Sequence, residues 1–168
     1  MTFYVENETG HNFRFNIEEL ATKVGDEVLK KEGCKLSPAV NLLVTDPEGI
    51  RDYNRDFRNI DKETDVLSFP NLEFERPGYF DPKYLKENEA DLKDPDTGEI
   101  ILGDIIINRE RVLSQSKKYN HSVKREFAFL VAHSMLHLCG YDHMTKEEAE
   151  VMEKKQEEAL TSLGITRE

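Results

Sequence analysis

Three of the five histidines of this chain fall within eleven residues, at positions 133, 137 and 143. Four residues advance a helix by about 400°, so His133 and His137 share one helical face and lie close enough to bind one ion. Gly140 follows where a helix can end in a left-handed residue, and that turn can bring His143 back toward the first two imidazoles. Three neutral imidazoles leave one position of a tetrahedral Zn²⁺ open. The pattern predicts one catalytic zinc ion per chain. The alternative of ordinary buried histidines is disfavoured by the third histidine and the turn.

The residue after the first histidine indicates the class of hydrolase. Zinc peptidases have glutamate there as the general base, whereas this chain has Ser134. A hydroxyl does not take up that proton at neutral pH. Zinc can still lower the pKa of a bound water to about 7 and polarise a phosphoryl oxygen. The site therefore favours a phosphodiester substrate, and a zinc peptidase or amidase remains the alternative.

Three further polar residues near or outside the cluster are of types that can form part of a metal site. Asp142 either hydrogen-bonds a ligand imidazole or only forms a turn, and the sequence favours neither. His121 and His11 have no ligand spacing to the cluster. We interpret both histidines as surface residues.

A stripe of arginines is predicted on one helix before the histidines. Arg51, Arg55 and Arg58 recur at i, i+4 and i+7, and the stripe runs toward Lys62. An arginine beside a zinc ion can offset the charge that a phosphoryl-transfer transition state gathers on its nonbridging oxygens. We predict this catalytic role for Arg58 and substrate binding for Arg55 and Lys62. The alternative is an ordinary solvated helix face.

Charge is segregated along the chain. The net charge is −11, which argues against a protein that coats nucleic acid without specificity. A cleft with a positive local field can still bind RNA. A second basic group is formed by Lys117, Lys118, Lys124 and Arg125, whereas acids concentrate in residues 71–99 and in the last predicted helix.

Periodicity and capping signals predict an α+β fold with a small mixed four-stranded sheet covered by helices. Strands are predicted at 3–5, 40–45, 66–69 and 100–107, the last of them central because it is apolar nearly throughout. Helices are predicted after the capping residues Asn16, Asp46 and Thr145, and over 109–118 and 122–138. The metal site should then lie at the end of a central helix.

The length of 168 residues suits one domain over residues 1–168. Residues 71–99 are interpreted as an exposed acidic insertion. The sequence shows no membrane span and no signal-peptide pattern, so we expect a cytoplasmic protein. Cys34 and Cys139 form no paired-cysteine motif and are expected to be reduced, mostly buried thiols.

Four segments resemble the YbeY-type rRNA maturation factors. The run H-S-M-L-H-L-C-G-Y-D-H at 133–143 is close to the family signature H-G-x-L-H-L-x-G-Y-D-H, with serine where the family usually has glycine. The likeness extends to T-D-V-L-S-F-P at 64–70, L-G-D-I-I-I at 102–107 and R-E-F-A-F-L at 125–130. These segments stand in the family's order and cover about two thirds of the chain. Residues 71–99 look longer than in many members, which could alter how a substrate or partner approaches.

The resemblance implies a function and its residues. The three histidines would bind zinc, and Arg58 would match the arginine that the family places shortly before T-D-V-L-S-F-P. The implied activity is endonucleolytic cleavage of single-stranded RNA in 16S rRNA 3′-end maturation and ribosome quality control. The small ribosomal subunit and its assembly proteins would be partners. A noncatalytic ribosome assembly factor is a further alternative, and either water or the RNA 2′-hydroxyl could be the nucleophile.

Overall fold

The computed structural model describes residues 1–166. Within these residues the elements follow one another as β1 Thr2–Asn7, α1 Ile17–Lys31, β2 Ala39–Thr45, α2 Pro47–Arg58, β3 Val66–Pro70, α3 Pro82–Glu87, α4 Glu89–Leu92, β4 Ile101–Asn108, α5 Arg109–Lys118, α6 Val123–Leu138 and α7 Lys146–Ser162.

The four strands form one mixed sheet in the order β1-β2-β4-β3. The pairs β1–β2 and β2–β4 are parallel, and β3 runs antiparallel to β4. β4 is an inner strand, and Leu102, Ile105 and Ile107 on it are fully buried. This position explains its continuous apolar run, because an inner strand covered on both faces has few positions that meet water. The predicted α+β class with a small mixed four-stranded sheet is confirmed.

Side-chain caps begin the long helices where the sequence predicted. The side chains of Asn16, Asp46, Ser122 and Thr145 each accept a hydrogen bond from the backbone N–H three residues further on. Each bond satisfies one of the N–H groups that a helix start leaves without an intrahelical partner. The predicted helix starts are therefore confirmed at their capping residues.

α6 is the central helix of the fold. It packs against α1, α5 and α7 and against strands β3 and β4. Its buried apolar residues are Phe127, Ala128, Leu130, Val131, Ala132, Met135, Leu136 and Leu138. Because α6 is held on several sides, its C-terminal end is a rigid place from which to present side chains.

Most residues of the segment 71–99 are exposed or half-buried, and a few of its apolar side chains pack against the core. It contains α3 and α4, and Leu72 and Leu92 are 5% and 4% exposed. The rings of Phe74 and Phe80 pack edge to face, with centroids 5.3 Å apart, against the main core. The apolar residues of this segment follow neither helical nor strand spacing, so their burial depends on contacts with distant parts of the chain.

Two further expectations concern the thiols and the membrane. Both cysteines are free; Cys139 is buried and Cys34 is half-buried. None of the helices in residues 1–166 has the length and apolarity that a bilayer span needs.

Candidate metal centre

The structure brings the three predicted histidines together. Each of His133, His137 and His143 offers a nitrogen, and these atoms lie within 4.8 Å of one another. The Nε2 atoms of His133 and His137 are 3.1 Å apart. Two nitrogens on one tetrahedral zinc, each at about 2.0–2.1 Å, are separated by roughly 3.3 Å. The nitrogen spacing and the donor set therefore fit an ion of the size of zinc.

A tight turn after α6 returns the chain to the cluster. Gly140 has φ +95°, as the predicted turn requires, and a Cβ there would lie 2.7 Å from the ring of Phe74. The Asp142 carboxylate accepts a hydrogen bond from the backbone N–H of His143 at 2.8 Å. Asp142 thus stabilises the turn, which was one of its two predicted roles.

The partners of the ligand imidazoles come from elsewhere. Nδ1 of His137 lies 2.9 Å from the carbonyl oxygen of Tyr141, so Nδ1–H donates and the Nε2 lone pair faces the cluster. Nδ1 of His133 lies 2.8 Å from the side-chain amide of Gln156 on α7. The two ends of an amide are interchangeable by rotation, so the Gln156 oxygen can accept from Nδ1–H when Nε2 binds a metal.

Gln156 was missed in the sequence, although a signal was present. It is 2% exposed and stands among the buried residues of α7, which are Met152, Gln156, Ala159 and Leu160. A polar residue at a buried position of an amphipathic helix needs a partner. The periodicity of α7 could therefore have pointed to Gln156, but not to His133 as its partner.

Burial favours the neutral forms of His133 and His137. Desolvation, followed by the neighbouring imidazoles of His137 and His143, lowers the pKa of His133 to about 4. Burial also lowers the pKa of His137. A neutral imidazole has the free lone pair that metal binding needs, so the cluster can accept a cation at neutral pH.

A cavity of about 740 Å³ lies beside the three histidines. Arg58 and Lys62 line it, as predicted for the phosphate-binding residues. Nη2 of Arg58 donates to the carbonyl oxygen of Ser68 at 2.6 Å, and Cζ lies 5.2 Å from the Phe69 ring centroid. The buried Asn54 donates to the carbonyl oxygen of Lys62 at 2.9 Å and so anchors the loop after α2.

Arg55, predicted to bind substrate, does not line this cavity. Its guanidinium pairs with Asp52 and Asp56 at 3.2 and 3.1 Å. Arg58 is the last residue of α2 and reaches across to β3, whereas Arg55 lies within the helix beside acids that are close in sequence. The stripe is therefore divided, and only its C-terminal end faces the histidines.

Ser134 is turned into the core. It is fully buried, and its Oγ lies 2.9 Å from Oγ of Ser68 on β3. The position that holds the base in zinc peptidases is thus used here to join α6 to the sheet.

The prediction that His121 lies at the surface was wrong, and one member of the predicted basic group, Arg125, is buried. The His121 side chain is 4% exposed, and its Nε2 lies 3.4 Å from Oε2 of Glu126. Arg125 is 2% exposed and donates to the carbonyl oxygen of Ile165 and the Glu157 carboxylate. Buried charged groups persist where partners are supplied, and the partner of Arg125 is distant in sequence. His11 is exposed, as expected.

Comparisons with known proteins find several chains similar to this one. A family model described as Endoribonuclease YbeY matches residues 4–164. A relative from Agathobacter rectalis, named Endoribonuclease YbeY, is 50% identical over 167 residues, covering 99% of this chain and 100% of the relative. A relative of the same name from Lachnoclostridium phytofermentans is 47% identical over the same shares of both chains. The solution structure of a Thermotoga maritima protein has a TM-score of 0.54 and 25% identity, covering 96% of this chain and 91% of that chain.

Proposed function

Because the chain belongs to the YbeY family of endoribonucleases, we propose that it cuts single-stranded RNA at a zinc ion held by His133, His137 and His143. Family membership makes it an RNA-cleaving hydrolase. The observation that carries the zinc site is the convergence of three imidazole nitrogens within 4.8 Å beside a cavity that also holds Arg58. Among residues 1–166 the converging groups are imidazoles alone, and neutral ligands would leave a bound ion with its full positive charge, which suits attack on an anionic phosphodiester.

The bound ion and the basic residues Arg58 and Lys62 have different roles in this proposal. A bound zinc ion would polarise a phosphoryl oxygen and lower the pKa of a coordinated water. Arg58 donates to Ser68 through one nitrogen, and its remaining N–H groups are available to phosphate oxygens that gain charge during cleavage. Lys62 adds a second positive charge at the rim of the cavity. Arg55 pairs with Asp52 and Asp56 on an exposed face of α2, so any contact that it makes with RNA lies outside this cavity.

The size of the cavity supports single-strand specificity. A volume of about 740 Å³ is in the range of small-molecule pockets and suits roughly one or two nucleotides. Bases in a duplex remain stacked and paired, whereas an unpaired strand can spread its bases into pockets. An extended single strand is therefore the form of RNA that brings a phosphate to the histidines.

The cellular role is proposed from the family. We assign the protein to 16S rRNA 3′-end maturation and ribosome quality control in the cytoplasm, with the small ribosomal subunit and its assembly proteins as partners. Arg58 and Lys62 line this cavity together with the carboxylates of Glu63, Asp65 and Asp142, so RNA phosphates would be bound by these two cations and not by the net charge of the chain. A noncatalytic assembly factor is less favoured, because a purely structural zinc site has four protein ligands and no open cavity. A peptidase or amidase is less favoured because Ser134 is buried against Ser68.

The test is cleavage of a short labelled single-stranded RNA by purified zinc-loaded protein. Wild type is compared with His137→Ala and with His11→Ala, which removes an exposed histidine outside the cluster. We expect wild type and His11→Ala to cut equally, and His137→Ala to lose both zinc and cutting while keeping its circular dichroism spectrum. Equal cutting by all three proteins would indicate a contaminating nuclease and reject the proposal. The matching DNA strand tests the nucleophile, because DNA lacks the 2′-hydroxyl.

A further inference from the structure

A second cavity adjoins the metal cavity. Its volume is about 250 Å³, and Asp65 lines both cavities. Its other walls are Gln115, Tyr119, His121, Arg125, Glu126, Phe129 and Leu130. An RNA strand that extends from the histidines past Asp65 therefore reaches this second cavity next.

The two cavities lie along one face of α6. Glu126 lines the second cavity and His133 the first, and seven residues separate them. Seven residues make about two helical turns, or roughly 10.5 Å along the axis, and return to nearly the same face. This separation places the second cavity within reach of a nucleotide adjoining a phosphate at the zinc site.

The floor of the second cavity is rigid and internally paired. His121 and Glu126 face each other at 3.4 Å, and their side chains are 4% and 2% exposed. Nε2 of Gln115 lies 3.5 Å from Glu126 and 3.4 Å from Asp65. These polar groups interact with one another. The part of the cavity that remains for a ligand is therefore its aromatic rim.

That rim carries an exposed aromatic ring and positive charge. Tyr119 is 46% exposed, and its ring centroid is 6.1 Å from that of His121. Nζ of Lys118 lies 5.4 Å from the Tyr119 ring centroid, and Lys117 and Lys124 are also exposed. Within residues 1–166, the ion pairs of α5 and α6 are made by arginines and His121. The three lysines are thus available to phosphates in an otherwise acidic chain.

We propose that the second cavity binds the nucleobase of the nucleotide next to the scissile phosphate. The base stacks on Tyr119, and its phosphate lies against Lys118. Aromatic rings beside a basic rim are the usual elements of single-strand binding, and stacking tolerates different bases. A volume of about 250 Å³ suits one base and excludes a base pair. The inference rests on the proposed function and adds a substrate subsite to it.

The experiment measures kcat and KM of the zinc-loaded protein on a short single-stranded RNA. Stacking of one base corresponds to roughly a tenfold change in binding, so we expect Tyr119→Ala to raise KM about tenfold with kcat within about twofold of wild type. Tyr119→Phe keeps the ring and should restore KM. Lys118→Ala should raise KM and weaken its dependence on salt. Lys23→Ala, which removes an exposed lysine on α1, is the control and should leave both constants unchanged.

A set of RNAs with an abasic site at successive positions separates the subsite from general weakening. Wild type should lose about tenfold in kcat/KM when the base next to the cut is missing, whereas Tyr119→Ala should lose little at that position. An equal loss in both proteins at every position, or an unchanged KM in Tyr119→Ala, would overturn the subsite while leaving the proposed function standing. Failure of wild type to cut any RNA would overturn both.

Discussion

Imidazoles are buried near both ends of α6, and the two ends give them different hydrogen-bond partners. At the C-terminal end of α6, His133 and His137 are partnered by the neutral amide of Gln156 and the carbonyl of Tyr141. At its N-terminal end, His121 faces the carboxylate of Glu126. Burial raises the pKa of Glu126, and the opposing effect of His121 is smaller. Burial lowers the pKa of His133 to about 4.

The difference shows that the partners of a buried histidine decide its use. Neutral acceptors on Nδ1 leave each Nε2 lone pair free and directed at a shared point, which is the arrangement that a cation needs. At His121 the Glu126 carboxylate takes Nε2, and the buried Nδ1 has no hydrogen-bond partner, so among the described residues no second imidazole shares a metal with it. The histidines at the C-terminal end of α6 are therefore arranged to bind a cation. The pair His121 and Glu126 forms part of the lining of the second cavity.

The largest expected effect separates the two regions by their metal content. His143→Ala removes an exposed ligand and should abolish stoichiometric zinc binding while the fold remains. Glu126→Gln breaks the buried pair and should lower the free energy of unfolding by about 1–3 kcal/mol, with one zinc ion per chain retained. Metal analysis after dialysis and thermal unfolding measure both. Loss of zinc from Glu126→Gln would show that the comparison is mistaken.

Arg58→Ala should reduce kcat/KM for RNA by roughly 100- to 1,000-fold, because it removes a donor aimed at developing charge. Zinc content should be unchanged, since Arg58 hydrogen-bonds Ser68 and supplies none of the three converging imidazole nitrogens. Arg58→Lys should recover only part of the loss, because lysine lacks the planar fork of donors. Arg55→Ala is the matched control on the same helix and should cut like wild type. Equal losses in the Arg55 and Arg58 variants would contradict the division of the arginine stripe.

Gln156→Met keeps the size of the side chain and removes the hydrogen bond to His133. Zinc affinity should fall by about 10- to 100-fold, the usual effect of losing a hydrogen-bond partner of a ligand. Gln156→Glu keeps an acceptor and should retain the affinity. Competition with a coloured chelator measures both variants, and the visible spectrum of the cobalt-substituted protein reports ligand geometry. Wild-type affinity in Gln156→Met would remove Gln156 from the site.

The smallest expected effect is on the pH dependence of the metal-free protein. The pKa of His133 is lower in the folded chain than its ordinary value of 6.5, so the unfolded chain binds more protons between about pH 6.5 and 4. Stability should therefore fall as pH drops through that window, by roughly 2 kcal/mol at pH 5 from His133 alone. Urea unfolding at several pH values measures it. His133→Phe should flatten the slope, and an unchanged slope would place the titration elsewhere.

Much of the fold and part of the site could be predicted from the sequence. The capping residues Asn16, Asp46, Ser122 and Thr145 each act within one helical turn, and the continuous apolar run of β4 reflects its inner position. The burial of His121 and the packing of residues 71–99 were not predicted. Their apolar and polar residues have no regular spacing, so no periodic signal distinguishes a buried side chain from an exposed one.

The sequence by itself determined where the helices begin, which segments are apolar strands and the spacing that sets His133 above His137, because these features depend on interactions within a few residues. Only the tertiary structure decided that Gln156 meets His133 and that Arg58, but not Arg55, lies beside the cluster. It also decided that Tyr119 stands near the same face of α6. These contacts join distant parts of the chain, and they exist only after α2, α5 and α7 have packed around α6 and the sheet.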